Sequence, residues 1–422
     1  MREQRWLRII PVALIMYTIS FIDRTNISLA LDRNISTMMK DLLMDDKMKG
    51  FVGGIFFFGY VTLQIPGGHW AKHWSARKLI AIFLVFWGVC AVGCGLVKTF
   101  GQFELMRFML GVAESGVYPA TLVLLTNWFP RQERARANAY WNLCMPLAAA
   151  FSAPITAALL GKWGWQTMLI VEGALPFIWL PVWLKYIADR PSQAKWISTE
   201  EREYLEKALA AEANQLQPVK PAPVWQAFLQ PAVFVMLPVY FLQNCAAYGC
   251  NTFLTEGFKN QNRTFTAFQS GLLFSLPYLV AAVLMILNSR SSDRTGERRG
   301  HAALAYGVSG ICLIASVWLK DTSFWLSYAF LCFAIPGPFA ALAPFWSIPS
   351  ETMPTRVVGA VIGLVNAIGN VGGFVGQFIV GALKERTHGI TIPFTVLGSG
   401  LILGAALCFL LPKSQPRRRE VN

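Results

Sequence analysis

The chain has 422 residues, of which 55% are hydrophobic and 14% are charged, and it carries a formal net charge of +14. A soluble domain usually has about 25% charged residues, so this composition excludes an ordinary water-soluble protein. Lys and Arg are concentrated in alternate loops between apolar segments, a distribution that argues against a nucleic-acid-binding surface.

Apolar segments recur along the whole chain, and each has the length of about 20 residues that a helix needs to cross a membrane. Their hydrophobicity is continuous and does not alternate, which predicts helices and not the strands of a barrel. We therefore predict an all-α integral membrane protein, embedded in a lipid bilayer. Its twelve transmembrane helices are predicted at about residues 9–31, 51–71, 79–98, 103–126, 137–160, 167–187, 228–254, 268–288, 301–319, 324–347, 357–381 and 392–412.

A polar segment interrupts this series between the sixth and the seventh helix. It contains the run Ser198–Glu203, in which a serine followed by acids is typical of the start of a helix. Pro218, Pro221 and Pro223 then predict an extended linker. The predicted organisation is an N-terminal six-helix half over 1–187, a cytoplasmic linker over 188–226 and a C-terminal six-helix half over 227–422, with the two halves pseudo-symmetric.

The loops on the side of both termini carry most of the Lys and Arg residues. The positive-inside rule therefore predicts that both termini and the linker are cytoplasmic, in an inner (plasma) membrane. No cluster of cysteine or histidine has the spacing of a metal site, and no Gly-rich Lys-Ser loop for ATP is present. Two six-helix halves with related loops are the pattern of a transporter that rocks one half against the other. We expect no catalytic site, no metal and no cofactor, so an ion gradient must supply the energy for uphill transport.

Ionisable residues within spans are costly in lipid and are therefore functional candidates. Asp23 and Arg24 lie near the end of the first span, and Arg107 and Glu114 lie two helical turns apart on one face of the fourth. Arginine suits a substrate carboxylate, and a carboxylate poised between burial and an arginine suits proton uptake. We predict that Arg24 binds the substrate and that Asp23, Glu114 and Arg107 couple proton movement. A structural ion-pair network is the alternative.

Several short sequence motifs lie in or next to the predicted spans. They are Asp23-Arg24-Thr25-Asn26 in the first span, Gly111-x-x-Glu114-Ser115-x-x-x-Pro119 in the fourth, Trp128-Phe129-Pro130 after it, Gly372-Gly373-Phe374 in the eleventh, and related loops after the second and eighth spans, Gly68-x-x-x-Lys72 to Lys78 and Ser289-x-x-x-Asp293-Arg294 to Arg299. Together these motifs resemble the anion:cation symporter family of the major facilitator superfamily. Lys72 in the acidic position of the first loop and Gln377, where proline is common, depart from the pattern.

The resemblance implies a carrier that takes up a small organic carboxylate together with protons by alternating access. The predicted substrate is a hydroxy or sugar acid such as tartrate or an aldonate, with an aromatic carboxylate such as 4-hydroxyphenylacetate or phthalate as the alternative. Sodium coupling, uniport and exchange also stay open. The family resemblance favours a monomer.

The resemblance also assigns roles to individual residues. It implies substrate contacts at Tyr60, Trp346 and Asn366, and loop-to-helix gating contacts at Arg77, Asp293 and Arg294. Glu351, which follows the tenth span, is predicted to contact a basic loop and not the substrate.

Overall fold

The computed structural model describes residues 3–215, 224–258, 265–353 and 355–413, and these residues are helical without strands. Pro218, Pro221 and Pro223 lie outside the described residues. The helices up to the linker are α1 Gln4–Ala30, α2 Met38–Asp41, α3 Asp46–Thr62, α4 Gln64–Trp70 with a π-helical turn Ala71–Ser75, α5 Ala76–Leu96, α6 Phe100–Ser115, α7 Val117–Trp128, α8 Arg131–Asn142, α9 Cys144–Gly173, α10 Leu175–Tyr186 and α11 Thr199–Gln215. The later helices are α12 Pro231–Gly257, α13 Ala267–Thr295, α14 Arg299–Trp318, α15 Phe324–Ala334, α16 Pro336–Ala340, α17 Leu342–Thr352, α18 Thr355–Thr387 and α19 Thr391–Cys408, with short 3-10 turns at Pro191–Gln193 and Val224–Leu229.

Ten apolar helical stretches in the described part of the chain are long enough to cross a membrane. Eight have 18 to 31 residues, whereas Asp46–Leu96 and Arg136–Tyr186 have 51 residues each. A straight helix of that length measures about 77 Å, more than twice the ~30 Å hydrocarbon core. Each long stretch contains a non-helical residue, Ser75 (φ −168°, ψ 119°) or Gly164 (φ 78°, ψ 174°), and the latter conformation is open only to glycine. Each therefore has the length and the break for two crossings, so the described residues account for the twelve predicted transmembrane helices, and the all-helical fold is confirmed.

Large apolar side chains are exposed along these helices. In water this amount of exposed apolar surface is rare, whereas in a bilayer it is the favoured lining. Examples are Phe86, Ile178, Phe234, Val283 and Ile311.

The chain forms two compact units. Unit 1 comprises the described residues of Met1–Arg24, Ile55–Ala149 and Trp163–Val219, and unit 2 those of Thr25–Gly54, Ala150–Lys162 and Lys220–Asn422. The predicted boundaries of the two six-helix halves, at residues 187 and 227, come from the order of the spans along the sequence. Grouping residues by their contacts does not test these boundaries, so they stay a prediction.

In unit 1 the linker helix α11 is bound to the start of α1. Ser198 accepts a hydrogen bond from the backbone N–H of Glu201 (3.3 Å), so the helix begins where the sequence predicts. Arg5 is buried and forms ion pairs with Glu201 (2.6 Å) and with Glu133 on α8 (2.7 Å). A buried charge depends on its partners, so this triad holds the linker helix against the first half of the chain.

In unit 2 four charged side chains join α3 to α12 and α18. Lys384 Nζ lies 2.9 Å from Asp46 Oδ1 and 3.3 Å from Glu256 Oε1. Lys49 is 0% exposed, and its Nζ lies 3.7 Å from Glu256 and 4.5 Å from the centre of the Phe253 ring. We refer to Asp46, Lys49, Glu256 and Lys384 as the α3 ion cluster.

Gln377, one of the two departures from the family pattern, has a packing role in unit 2. Its side-chain amide donates to the backbone carbonyl of Gly373 (3.0 Å), and its Oε1 accepts from the Thr252 hydroxyl (2.5 Å). A Cβ atom at Gly53 would lie 2.2 Å from the same oxygen. The glutamine therefore fills the space that Gly53 leaves open, and it adds a polar link between α18 and α12.

Candidate functional site

The centre of the site in unit 1 is an ion pair between Arg24 on α1 and Glu114 on α6. Their side chains are 4% and 0% exposed. Arg24 donates to Glu114 Oε2 from both Nε (3.2 Å) and Nη2 (2.9 Å), and Ser20, one turn earlier on α1, donates to the same oxygen at 2.7 Å. Glu114 Oε1 has no hydrogen-bond partner among the described residues. Both arginine donors therefore meet a single oxygen of the carboxylate.

Aromatic rings surround the guanidinium of Arg24. Its Cζ atom lies 4.4 Å from the ring centre of Tyr60, 5.2 Å from that of Phe56 and 5.7 Å from that of Tyr17. The hydroxyl groups of Tyr17 and Tyr60 are 3.2 Å apart, and Tyr60 stacks on Phe56 one turn earlier in α3. These rings orient the guanidinium and add cation–π attraction. The structure thus brings Tyr60 and Arg24 together, as the prediction of one substrate site requires.

Asp23 lies beside this pair but points to a different partner. Its Oδ2 accepts a hydrogen bond from the indole N–H of Trp87 on α5 (2.5 Å). Arg107 donates from Nη1 to the backbone carbonyl of Asp23 (3.0 Å) and lies 5.2 Å from the Phe56 ring. In the described structure Arg107 is therefore not within ion-pair distance of either carboxylate, and its role in proton coupling stays a prediction.

The other two predicted substrate residues lie together in unit 2. The Tyr240 hydroxyl donates to Asn366 Oδ1 at 3.5 Å, and the Tyr240 ring meets Trp346 edge to face at 4.8 Å and stacks on Phe345 at 5.6 Å. Tyr240 on α12 thus connects Asn366 on α18 with Trp346 on α17. Sequence reasoning did not single out Tyr240.

The predicted gating residues lie at helix ends, Arg77 at the start of α5 and Asp293 and Arg294 at the end of α13. Asp293 accepts from Arg298 at 2.6 Å, and Arg298 also binds Glu351 at 2.9 Å, which confirms the predicted contact of Glu351 with a basic loop. Arg294 is exposed. The backbone N–H of Arg77 donates to Asp189 (2.9 Å), and its guanidinium contacts the carbonyl of Leu184. The gating role itself stays a prediction for all three.

Glu297, between α13 and α14 and four residues after Asp293, binds the start of α14. Its carboxylate accepts from the backbone N–H of Gly300 (2.7 Å) and of His301 (3.1 Å). Burial acts to raise the pKa of Glu297, but the hydrogen bonds from Gly300 and His301 outweigh it and lower that pKa below its ordinary value. The carboxylate is therefore charged at neutral pH, as a helix N-terminus favours.

Comparison with known proteins decides the family. The profile of the Major Facilitator Superfamily matches residues 13–377. The chain belongs to the Major Facilitator Superfamily. Like the other members of this superfamily it is a multi-pass membrane protein, and its relatives in this comparison are transporters and not enzymes.

Individual relatives within the superfamily cover nearly the whole chain. A putative tartrate transporter of Agrobacterium vitis is 32% identical over 98% of this chain and 92% of its own length. A quinolone resistance transporter of Acinetobacter baumannii is 29% identical over 98% of this chain and 95% of its own. The crystal structure of a bacterial homologue of the human lysosomal transporter Spinster, inward-facing and unoccupied, aligns with a TM-score of 0.77, 15% identity and 97% coverage of both chains. This structural likeness confirms the superfamily fold.

Proposed function

We propose that this chain is a proton-coupled symporter that imports a small organic anion, a hydroxy or sugar acid such as tartrate or an aldonate. The membership of the superfamily supports transport, and the relative named for tartrate supports a hydroxy acid. The local argument for an anion is the buried arginine Arg24. In unit 2, Trp346 and Asn366, joined through Tyr240, are proposed as further substrate contacts.

The observation that carries the proposal is the one-oxygen contact between Glu114 and Arg24. Arg24 offers two parallel N–H donors, Nε and Nη2, and Glu114 meets both with Oε2 alone. A carboxylate that gives one oxygen to each donor forms the stronger, bidentate pair. A substrate carboxylate can therefore replace Glu114 on Arg24, provided that the displaced glutamate does not stay buried as an unpaired anion.

Protonation of Glu114 removes this difficulty and links substrate binding to proton uptake. A protonated Glu114 no longer competes for Arg24, and its hydroxyl can donate a hydrogen bond in place of the ion pair. Asp23 is the second proposed proton carrier, since its carboxylate meets the neutral donor Trp87 and no cation at ion-pair distance in the described residues. Arg107 is proposed to assist through the backbone of Asp23.

An aromatic carboxylate is the second candidate substrate. Rings line both groups of predicted substrate residues, Tyr17, Phe56 and Tyr60 in unit 1 and Tyr240 and Trp346 in unit 2. Such rings stack well on a flat ligand. A relative named for quinolone resistance adds a reason to test aromatic acids.

The orientation and the gating roles complete the proposal. Both termini are placed in the cytoplasm by the positive-inside rule, with the chain acting as a monomer in the inner membrane. Asp293, Arg294 and Arg77 are proposed to make and break loop contacts as the carrier opens and closes.

The decisive test is uptake into proteoliposomes of labelled tartrate, an aldonate and 4-hydroxyphenylacetate. Each acid is offered with an inward proton gradient, with an inward sodium gradient and with neither. We expect one class of acid to accumulate above its outside concentration with the proton gradient alone, and an uncoupler to abolish the accumulation. Uptake that stops when the inside and outside concentrations are equal would show a uniporter. Accumulation that requires the sodium gradient alone would show that sodium, and not the proton, is the coupling ion.

A matched pair of variants tests the role of Glu114 in the same assay. Glu114→Gln mimics the protonated side chain, so we expect substrate exchange across the membrane to persist while accumulation is lost. Glu104→Gln, a half-exposed glutamate on the same helix, should behave as wild type. Normal accumulation by Glu114→Gln would remove Glu114 from the coupling mechanism.

A further inference from the structure

Trp87 contacts a predicted proton carrier although no pattern in the sequence marks it. It lies in the middle of α5, is 0% exposed, and its indole N–H is 2.5 Å from Asp23 Oδ2. Asp23 is itself buried on α1. A hydrogen bond between two buried side chains on different helices fixes the position of the carboxylate more firmly than a solvated contact would.

The chemistry of indole restricts what Asp23 can do with its two oxygens. The indole nitrogen is a donor and never an acceptor. Asp23 Oδ2 must therefore present a lone pair to Trp87 whether the side chain is charged or neutral. A proton that Asp23 takes up is directed to Oδ1 while this contact persists.

Titratable and charged groups on α1, α5, α6 and α9 act electrostatically on Asp23. Arg24 follows it on α1, Glu114 and Arg107 act on it from α6 and Glu172 acts on it from α9, and the thiol of Cys94 on α5 is within electrostatic range. Arg107 donates its hydrogen bond to the backbone carbonyl of Asp23 and not to the carboxylate. The indole of Trp87 is thus the side-chain donor that contacts the carboxylate directly in the described structure.

We propose that Trp87 is a positioning residue for proton coupling: it holds Asp23 Oδ2 and leaves Oδ1 as the atom that exchanges the proton. This inference rests on the proposed proton symport. The hydrogen bond stabilises the charged carboxylate more than the neutral acid, because a bond to an ionised acceptor is the stronger one. Trp87 therefore sets the pH at which Asp23 releases its proton.

The test is Trp87→Phe, which removes the N–H and keeps an aromatic ring. We expect the midpoint of the pH dependence of gradient-driven uptake to rise by about one pH unit, since the charged form of Asp23 loses its donor. Exchange of substrate at saturating concentration should change less than twofold, because Arg24 and Glu114 are intact. Trp128→Phe is the matched control, as Trp128 is equally buried and its indole donates to the carbonyl of Ala188 (2.7 Å); its midpoint should stay at the wild-type value.

Two further measurements keep the inference separate from general damage and from the proposed function. In an Asp23→Asn background, Trp87→Phe should cause no further shift in the midpoint of the pH dependence. In wild type labelled with isotopic tryptophan, one indole N–H resonance should move with pH, and it should stop moving in Asp23→Asn even if Trp87→Phe fails to fold. An unshifted midpoint, an equal shift in Trp128→Phe, or the absence of a titrating indole resonance would overturn the role of Trp87. Loss of gradient-driven uptake in wild type itself would instead overturn the proton symport.

Discussion

Replacing Arg24 with alanine is expected to abolish anion binding and to destabilise the protein by about 3–5 kcal/mol, the cost of breaking a buried ion pair by removing one partner. Glu114, at 0% exposure, would keep only the hydroxyl of Ser20 as a donor. The double variant Arg24→Ala/Glu114→Gln also removes the negative charge of Glu114, which the single variant leaves without its arginine. It should recover most of the lost stability and none of the binding.

Thermal unfolding in detergent and calorimetric titration with tartrate measure the two effects separately. Arg33→Ala is the control, since Arg33 is 56% exposed and lies 3.9 Å from Asp46, a surface pair worth about 0–1 kcal/mol. If Arg24→Ala bound the anion as wild type does, Arg24 would not be the substrate arginine. If the double variant were no more stable than the single one, the loss would not come from the charge of Glu114.

Gly111→Ala is expected to have the second largest effect, because α3 and α6 cross there with their backbones in contact. A Cβ atom at Gly111 would lie 2.0 Å from the carbonyl oxygen of Phe56 and 3.0 Å from the amide nitrogen of Tyr60. Backbone atoms cannot rotate away as a side-chain end can. The helices must separate, at a cost of about 2–3 kcal/mol, and the rings of Phe56 and Tyr60 must move relative to Arg24.

The same helix supplies the control for this variant. A Cβ atom at Gly101 would meet nothing within 4 Å, so Gly101→Ala should gain about 0.5–1 kcal/mol from the better helix propensity of alanine. The same added methyl group is thus expected to change the free energy of unfolding with opposite sign at the two positions. Measurement of unfolding temperature and of substrate affinity checks both, and equal changes at the two glycines would show that the crossing is not as close as described.

Much of the fold was predictable because it depends on sums over many residues. Length and continuous hydrophobicity are enough to predict twelve helices, since every backbone amide in lipid must be paired within its own helix. The interruptions at Ser75 and Gly164 lie between predicted spans, at 72–78 and 161–166, but no local pattern indicates which residue of each segment leaves the helical conformation. The composition of the two units depends on which helices pack together, and no local pattern encodes that.

The site was predictable where a residue type is costly in lipid and unpredictable where it is common. Asp23, Arg24, Arg107 and Glu114 stand out because charges are rare in spans. Trp87 and Tyr240 do not stand out, because the chain has 15 Trp, 11 Tyr and 30 Phe residues, and aromatic residues are ordinary in membrane helices. Which of them contacts a site residue depends on the rotation of one helix against another.

The burial of Lys49 within the α3 ion cluster also determines its chemical reactivity. A lysine reacts with an amine-directed acylating reagent only when its Nζ is accessible and uncharged, and Lys49 is 0% exposed beside Glu256 and Phe253. Local separation of α3 from α12 makes it accessible. The acylation rate of this side chain, followed by mass spectrometry, therefore reports how often the contact between α3 and α12 opens. The lysine is native, so no engineered label is needed.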